Sequence, residues 1–359
     1  MSQDQSVTEP AGSDGPVEVV SAQESMAGAA SPEREGVLGV LLGSSVGRNL
    51  GLVVALVVLC VVGAATAGQE FASVDNVLTI LRLAAVIGVV SVGMTFVITG
   101  GGIDLSVGAI VALASVWSTT LATQTLARDV HWTVMVACAL LVGIGCGLVN
   151  GLLIAYGKVV PFIATLAMLA AARGLAEIIA KRRTQIVDVP GFTDFFRGSV
   201  LGVPLLVIIF AIVAVLGWVL LNRTTFGRRT FAVGGNPEAA RLAGIDVRRH
   251  TVLLYALLGL CCGIAAVMIV ARTTTGSSTH GLLYELDAIA AVVIGGTLLS
   301  GGRGTIVGTV LGVLIFTTLS NVFTQNNLSS SAQSVAKGVI IVVAVLLQQR
   351  LATRSDSKT

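Results

Sequence analysis

From residue 50 onward the chain alternates long apolar runs with short polar breaks. A membrane span needs about 20 apolar residues, and fewer where a segment re-enters. Ten runs qualify, at roughly 50–68, 77–99, 104–124, 132–155, 160–180, 200–221, 251–271, 286–300, 304–323 and 332–350. The eighth is short and interrupted by glycine, the pattern of a half-helix. The expected fold is all-α: a polytopic transmembrane helical bundle of about ten spans over residues 47–350. Two polar tails, 1–46 and 351–359, flank it.

Between the second and third runs lies Gly100-Gly101-Gly102-Ile103-Asp104-Leu105-Ser106-Val107-Gly108. It puts a carboxylate, a hydroxyl and four glycines between two spans. An acidic side chain at membrane depth is costly and faces a cavity or a partner rather than lipid. Glycines let backbones approach closely and accept the dihedrals of a tight turn. Gly101, Gly102, Asp104 and Ser106 are therefore candidates for a translocation path. Capping of the following helix by Asp104 or Ser106 is the structural alternative, and the two roles are compatible.

The pattern echoes 200 residues later. Gly101-Gly102 and Val107-Gly108 match Gly301-Gly302 and Val307-Gly308, each after an apolar run containing Gly and Thr. Asp104 has no counterpart, because Gly304 stands there. Six spans separate the two hairpins, so both run in the same direction. A parallel pseudo-repeat is one reading, and coincidence among 42 glycines is the other. Gly301 and Gly302 join the path candidates on this basis.

The longest polar break between spans is 222–250, and its middle is built as a short helix. Asn236 is a good N-cap, Pro237 suits the first helical position, and Glu238 complements the N-terminal dipole. Ala239, Ala240, Arg241, Leu242 and Ala243 favour helix, and Gly244 stops it. Ala239, Leu242 and Ala243 form a small apolar face. Such a helix could dock in a groove on a partner or lie on lipid headgroups.

Composition agrees with a membrane protein. The chain is 54% hydrophobic and 11% charged, where soluble domains carry about 25% charged residues. A net charge of +3 without a single basic face gives no reason to expect nucleic acid. Cys60, Cys138, Cys146, Cys261 and Cys262 all lie in apolar runs, and the three histidines are scattered, so no disulfide framework, metal site or cofactor is expected. Residues 1–46 hold seven acidic residues against Arg34 and lack the basic start and apolar core of a signal peptide, so a disordered cytoplasmic tail is expected. Placing both termini inside leaves thirteen Lys and Arg in cytoplasmic segments and six outside. Three of those six, Lys181, Arg182 and Arg183, run against that orientation.

No G-x-x-x-x-G-K-[ST] phosphate loop, G-x-S-x-G elbow or catalytic cluster is present, so the chain is not expected to be an enzyme. Acids near or within spans are few: Asp104, Glu177 and Asp287. That scarcity weakens an ion-driven transporter.

Three ordered motifs resemble one family. Residues 94–108, the loop Ala232 to Ile245, and Ala291 to Thr297 followed by Ser300-Gly301-Gly302-Arg303-Gly304-Thr305 look like the permease subunits of ribose, xylose and galactose ABC importers. The resemblance runs from about residue 45 to 350. It implies a multi-pass permease in a bacterial plasma (inner) membrane, importing a monosaccharide. Its implied partners are a cytoplasmic ATPase, an extracytoplasmic sugar-binding protein and a second permease copy, as a homodimer. A permease for branched-chain amino acids and an ion-coupled secondary transporter are the alternatives. Glu238-Ala239-Ala240-x-x-x-Gly244 also resembles the EAA-type loop that docks on the ATPase, although the Ile-x-Leu-Pro continuation is absent. The resemblance gives Asn236, Pro237, Glu238, Ala239, Ala240, Arg241, Leu242 and Gly244 an ATPase-coupling role. Arg303 becomes an ATPase-side contact, or a charge that sets orientation.

Overall fold

The computed structural model of the chain describes residues 45–356. The expected tail at 1–46 lies outside the described residues except for its last two positions, as does the end of the expected C-terminal tail. The helices in order are α1 Ser45–Phe71, α2 Val74–Thr99, α3 Val107–Ser118, α4 Leu121–Asp129, α5 Thr133–Ala155, α6 Pro161–Ala180 and α7 Pro190–Arg197. They continue as α8 Leu205–Arg223, α9 Thr225–Gly235, α10 Pro237–Leu242, α11 Val247–Thr273, α12 Tyr284–Ile294, α13 Ile306–Gln325 and α14 Ser330–Asp356. Two antiparallel two-residue pairs join the connections: β1 Gln185–Ile186 with β4 Thr275–Gly276, and β2 Ser199–Val200 with β3 Val203–Pro204.

The protein is thus an all-α polytopic bundle. Among the described residues seven helices are long and apolar enough to cross a membrane, and α3 with α4 makes an eighth if that bent pair is one span. Two expected spans differ in form. The run at 104–124 breaks after Ser118, where Thr119 and Thr120 interrupt the helix and the hydroxyl of Thr120 caps α4, with a bend of 56° between the halves. The run at 286–300 is the half-helix α12, which ends at Ile294. Gly296, at φ 87°, turns the chain there, and Thr297 N–H donates back to Val292 O.

Helices α2, α11 and α13 are largely buried, whereas α1 is almost wholly exposed along its span. Small residues set the closest packing. Gly143, Gly147 and Gly151 fall one turn apart on α5 and face Gly259, Gly263 and the backbone of Tyr255 and Val252 on α11. A β-carbon at Gly147 would stand 2.3 Å from Tyr255 O. Without water to drive helices together, close van der Waals contact of this kind holds membrane helices. Gly147→Leu is expected to destabilise the bundle by about 1–3 kcal/mol or more. Thermal unfolding in detergent checks this, with Gly145→Ala as the neutral comparison because a β-carbon there meets nothing within 4 Å.

Candidate functional site

The two glycine hairpins meet in space. Helix α2 ends at Thr99, and Gly101 turns the chain at φ 84°, with Gly102 N–H donating to Val97 O at 2.9 Å. In the later hairpin Gly301 adopts φ 85°. Gly302 N–H donates to Thr99 O at 2.9 Å, so one hairpin is hydrogen-bonded to the end of the other. Further up, the hydroxyls of Thr95 and Thr309 lie 2.7 Å apart and tie α2 to α13. The links differ in length: residues 100–106 join α2 to α3, and 295–305 join α12 to α13.

A third element enters this contact. Gly234 and Gly235, the last residues of α9, sit between the hairpins. A β-carbon at Gly234 would stand 1.8 Å from Thr99 O and 2.7 Å from Gly302 N, and one at Gly302 would stand 2.9 Å from Gly235 Cα. Only three bare backbones can pack at this spacing. The sequence holds Gly234-Gly235 directly before the cap residue Asn236, yet nothing local marks it as a meeting point.

Beyond the junction α10 forms as its residues require. The Asn236 side chain accepts from the backbone N–H of Glu238 at 3.1 Å and of Ala239 at 3.0 Å. Pro237 occupies the first turn, and Gly244 ends the segment at φ 82°. Arg241 donates twice to Glu238, at 2.5 and 3.1 Å. That hydrogen bond first, and the guanidinium charge second, hold the Glu238 carboxyl below the usual carboxylate range. Ala240 is buried against the bundle, whereas Ala239, Leu242 and Ala243 are exposed, Leu242 by 78%. The small apolar face therefore points away from the bundle. Residues 225–235, read from sequence as loop, are the helix α9, started by the Thr224 hydroxyl accepting from Gly227 N–H.

Asp104 lies 1% exposed beside this junction. Its Oδ1 accepts from Ser106 N–H at 2.7 Å and from the Ser106 hydroxyl at 2.5 Å, and its Oδ2 accepts from Asn150 Nδ2 at 3.2 Å. Ser106 occupies the N-cap position of α3, but its hydroxyl donates to Asp104 and makes no cap bond. In this conformation the carboxylate ties the 103–106 turn to α5. Asn150 is not among the site residues expected from the sequence. Its signal was a lone amide between Gly147 and Gly151 in an otherwise apolar run. Asp104→Ala leaves the buried Ser106 N–H without its acceptor and the Asn150 amide with only the Ser106 hydroxyl, at 3.0 Å. It is expected to destabilise the bundle by about 1–3 kcal/mol, readable as a lower unfolding temperature in detergent. An unchanged temperature with lost transport would instead assign Asp104 to the cargo. Of the remaining candidates, Gly101 and Arg303 are exposed, Gly102 and Gly302 half-buried and Gly301 buried.

Residues 76–346 match the family described as "Branched-chain amino acid transport system / permease component". The chain is similar to the ribose import permease protein RbsC of Bacillus subtilis, with 43% identity over 85% of this chain and 92% of that protein. RbsC of Escherichia coli K12 is 39% identical over 83% of this chain and 92% of its own. The galactose/methyl galactoside import permease protein MglC of Escherichia coli K12 is 36% identical over 77% and 87%. No solved structure gives a significant match.

Proposed function

The chain belongs to the permease-component family of ribose- and galactose-type ABC importers, and from that premise we propose that it carries a monosaccharide inward under the drive of a separate ATPase. Its relatives are permease components, not catalytic subunits, and it is a multi-pass inner-membrane protein. In the proposed assembly two copies pair, a cytoplasmic ATPase subunit docks on α10, and an extracytoplasmic binding protein delivers the sugar. Both termini then lie in the cytoplasm, on the same side as α9 and α10.

The observation that carries this reading is the attachment of α10. An exposed, capped helix with an outward apolar face follows, across the single residue Asn236, the backbone that touches both glycine hairpins. Closure of an ATPase dimer under α10 would push α9 and its Gly234–Gly235 end against Thr99 and Gly302. The hairpins would pass that motion to α3, α12 and α13. The junction packs without side chains, so it transmits displacement with little room for slack. Asp104 and Ser106 remain proposed path residues, exposed to cargo once the 100–106 turn moves.

Under this orientation the Lys181-Arg182-Arg183 turn is external. Lys181 and Arg182 both adopt left-handed φ, 52° and 55°, and Arg182 pairs with Glu177 at 3.2 Å. The capping turn of α6 thus presents cations away from the bundle. Pull-down of the tagged protein from its native membrane, with mass spectrometry of its partners, tests the assembly. Recovery of an ABC ATPase supports it. Recovery of the permease alone, still moving substrate without ATP after reconstitution, would replace it with a secondary transporter.

A further inference from the structure

The segment directly after Thr273 is not another full span. Residues 274–283 run without helix alongside α3, apart from the short β4. Gly276 lies against Thr119 and Ser115 at the far end of α3, and Gly281 O would meet a β-carbon at Gly108, in its first turn, at 2.1 Å. The Arg173 guanidinium, from well inside the span α6, donates to the carbonyls of Ser278 and His280. The segment therefore descends into the bundle. Irregular backbone at membrane depth is tolerated only where protein buries it or where it lines a water-filled cavity.

The half-helix α12 starts where this segment stops, and it carries an ion pair. Lys337 of α14 donates to both carboxylate oxygens of Asp287, at 3.2 and 3.3 Å, and its ammonium lies 4.9 Å from the centroid of the Phe316 ring. The two side chains are 25% and 12% exposed. A largely buried pair is a poor source of stability, because desolvation offsets its attraction. An ionisable pair inside a membrane bundle more often marks a substrate path. Here it borders a cavity of about 450 Å³, whose wall includes Ser330, Gln333 and Ser334 on one side and Leu286 on the other. That volume is within the range of small-molecule sites.

We propose that this cavity between α12 and α14, centred on Asp287 and Lys337, is a monosaccharide subsite on the transport path. The proposal rests on the importer reading above. A sugar hydroxyl both donates and accepts. The cavity offers an acceptor in Asp287, a donor in Lys337 and the Ser330 hydroxyl as both. It adds acceptors in the Gln333 carbonyl oxygen and the Ser334 hydroxyl, whose own N–H and O–H already donate to Leu328 O and Ser330 O. Its charges cancel, which suits a neutral ligand, and Leu286 gives the C–H face of a sugar ring an apolar wall. From here α12 runs down to Gly295, at the start of the link whose Gly301 and Gly302 meet Gly234 and Gly235. One rigid element thus joins the proposed subsite to the junction that α10 would drive.

The test is ATP-driven uptake by the reconstituted permease, ATPase and binding protein, at saturating sugar-loaded binding protein. The step read is then passage through the permease. Gln333→Ala is expected to lower D-ribose or D-galactose uptake about tenfold with assembly and unfolding temperature unchanged. Asp287→Asn, which leaves the Lys337 ammonium without its carboxylate, is expected to lower both uptake and unfolding temperature. The paired exchange Asp287→Lys with Lys337→Asp is expected to stay slow. Restored uptake in that exchange would make the pair a helix clamp and overturn the subsite, as would wild-type uptake by Gln333→Ala. A wild type that imports neither sugar, or imports L-leucine instead, overturns the importer reading itself. That result is visible before any variant is compared.

Discussion

Gly234→Val is expected to leave the protein in the membrane but stop transport. A β-carbon at this position falls 1.8 Å from Thr99 O, 2.7 Å from Gly302 N and 2.9 Å from Thr99 C, all backbone atoms. No rotamer change relieves such a contact, so α9 must withdraw from the hairpins. Forced repacking of this kind costs about 1–3 kcal/mol, or roughly one to two powers of ten in an equilibrium that needs the junction closed. The cost falls where α10 is coupled to the two hairpins, so uptake suffers more than folding. ATP hydrolysis by the docked ATPase is expected to persist, no longer matched by sugar movement. The neighbouring Gly235→Ala is the comparison, since its β-carbon meets nothing within 4 Å. Measured together in proteoliposomes, uptake should fall at least about tenfold for the first variant and stay near wild type for the second. Full transport by Gly234→Val would show that the contact is packing without a role in coupling.

The difference between those two adjacent glycines also shows where sequence reading ends. The spans were legible because hydropathy is a local property, and the α10 cap was legible because Asn236, Pro237 and Glu238 act within one turn. The half-helix α12 could be suspected from Gly295 and Gly296 in the run itself. The helix α9 was not legible, because Gly227, Gly234 and Gly235 argue against helix by propensity. In the fold Gly227 is needed where α9 crosses the end of α8, with Leu221 O at 1.8 Å from its would-be β-carbon. The junction was least legible of all. The 100–102 and 300–302 hairpins share a motif that suggests kinship, but their contact through Gly234 depends on how α2, α9 and α13 pack. For Asp104 the residue type was informative and its surroundings were not. Only the fold brings Asn150 of α5 to its carboxylate.

Reversing the charge on α10 is expected to break the drive while sparing the fold. In Glu238→Arg a cation replaces the acid that pairs with Arg241, and both side chains are exposed, so the bundle loses nothing it packs against. The Glu238 carboxyl is held below its ordinary range, so the pair contributes above that range and is lost as pH falls through the lowered value. At neutral pH it is fully formed, and the variant therefore removes a charge pattern that is present under working conditions. Leu242→Asp is the sharper probe. Leu242 is 78% exposed and supports no core of its own chain, whereas a docked partner would bury it at about 25 cal/mol per Å² of apolar surface. Both variants should insert and unfold like wild type, yet recover little or no ATPase in a pull-down and show no sugar-stimulated hydrolysis. Exchanging the pair as Glu238→Arg with Arg241→Glu would re-form the ion pair but set both charges against the helix dipole and reverse their order, so coupling should stay low. If Leu242→Asp retained the ATPase and the stimulation, α10 would be an interfacial helix resting on lipid headgroups. The ATPase would then have to grip the permease elsewhere, with exposed Arg303 beside the junction as the next residue to change.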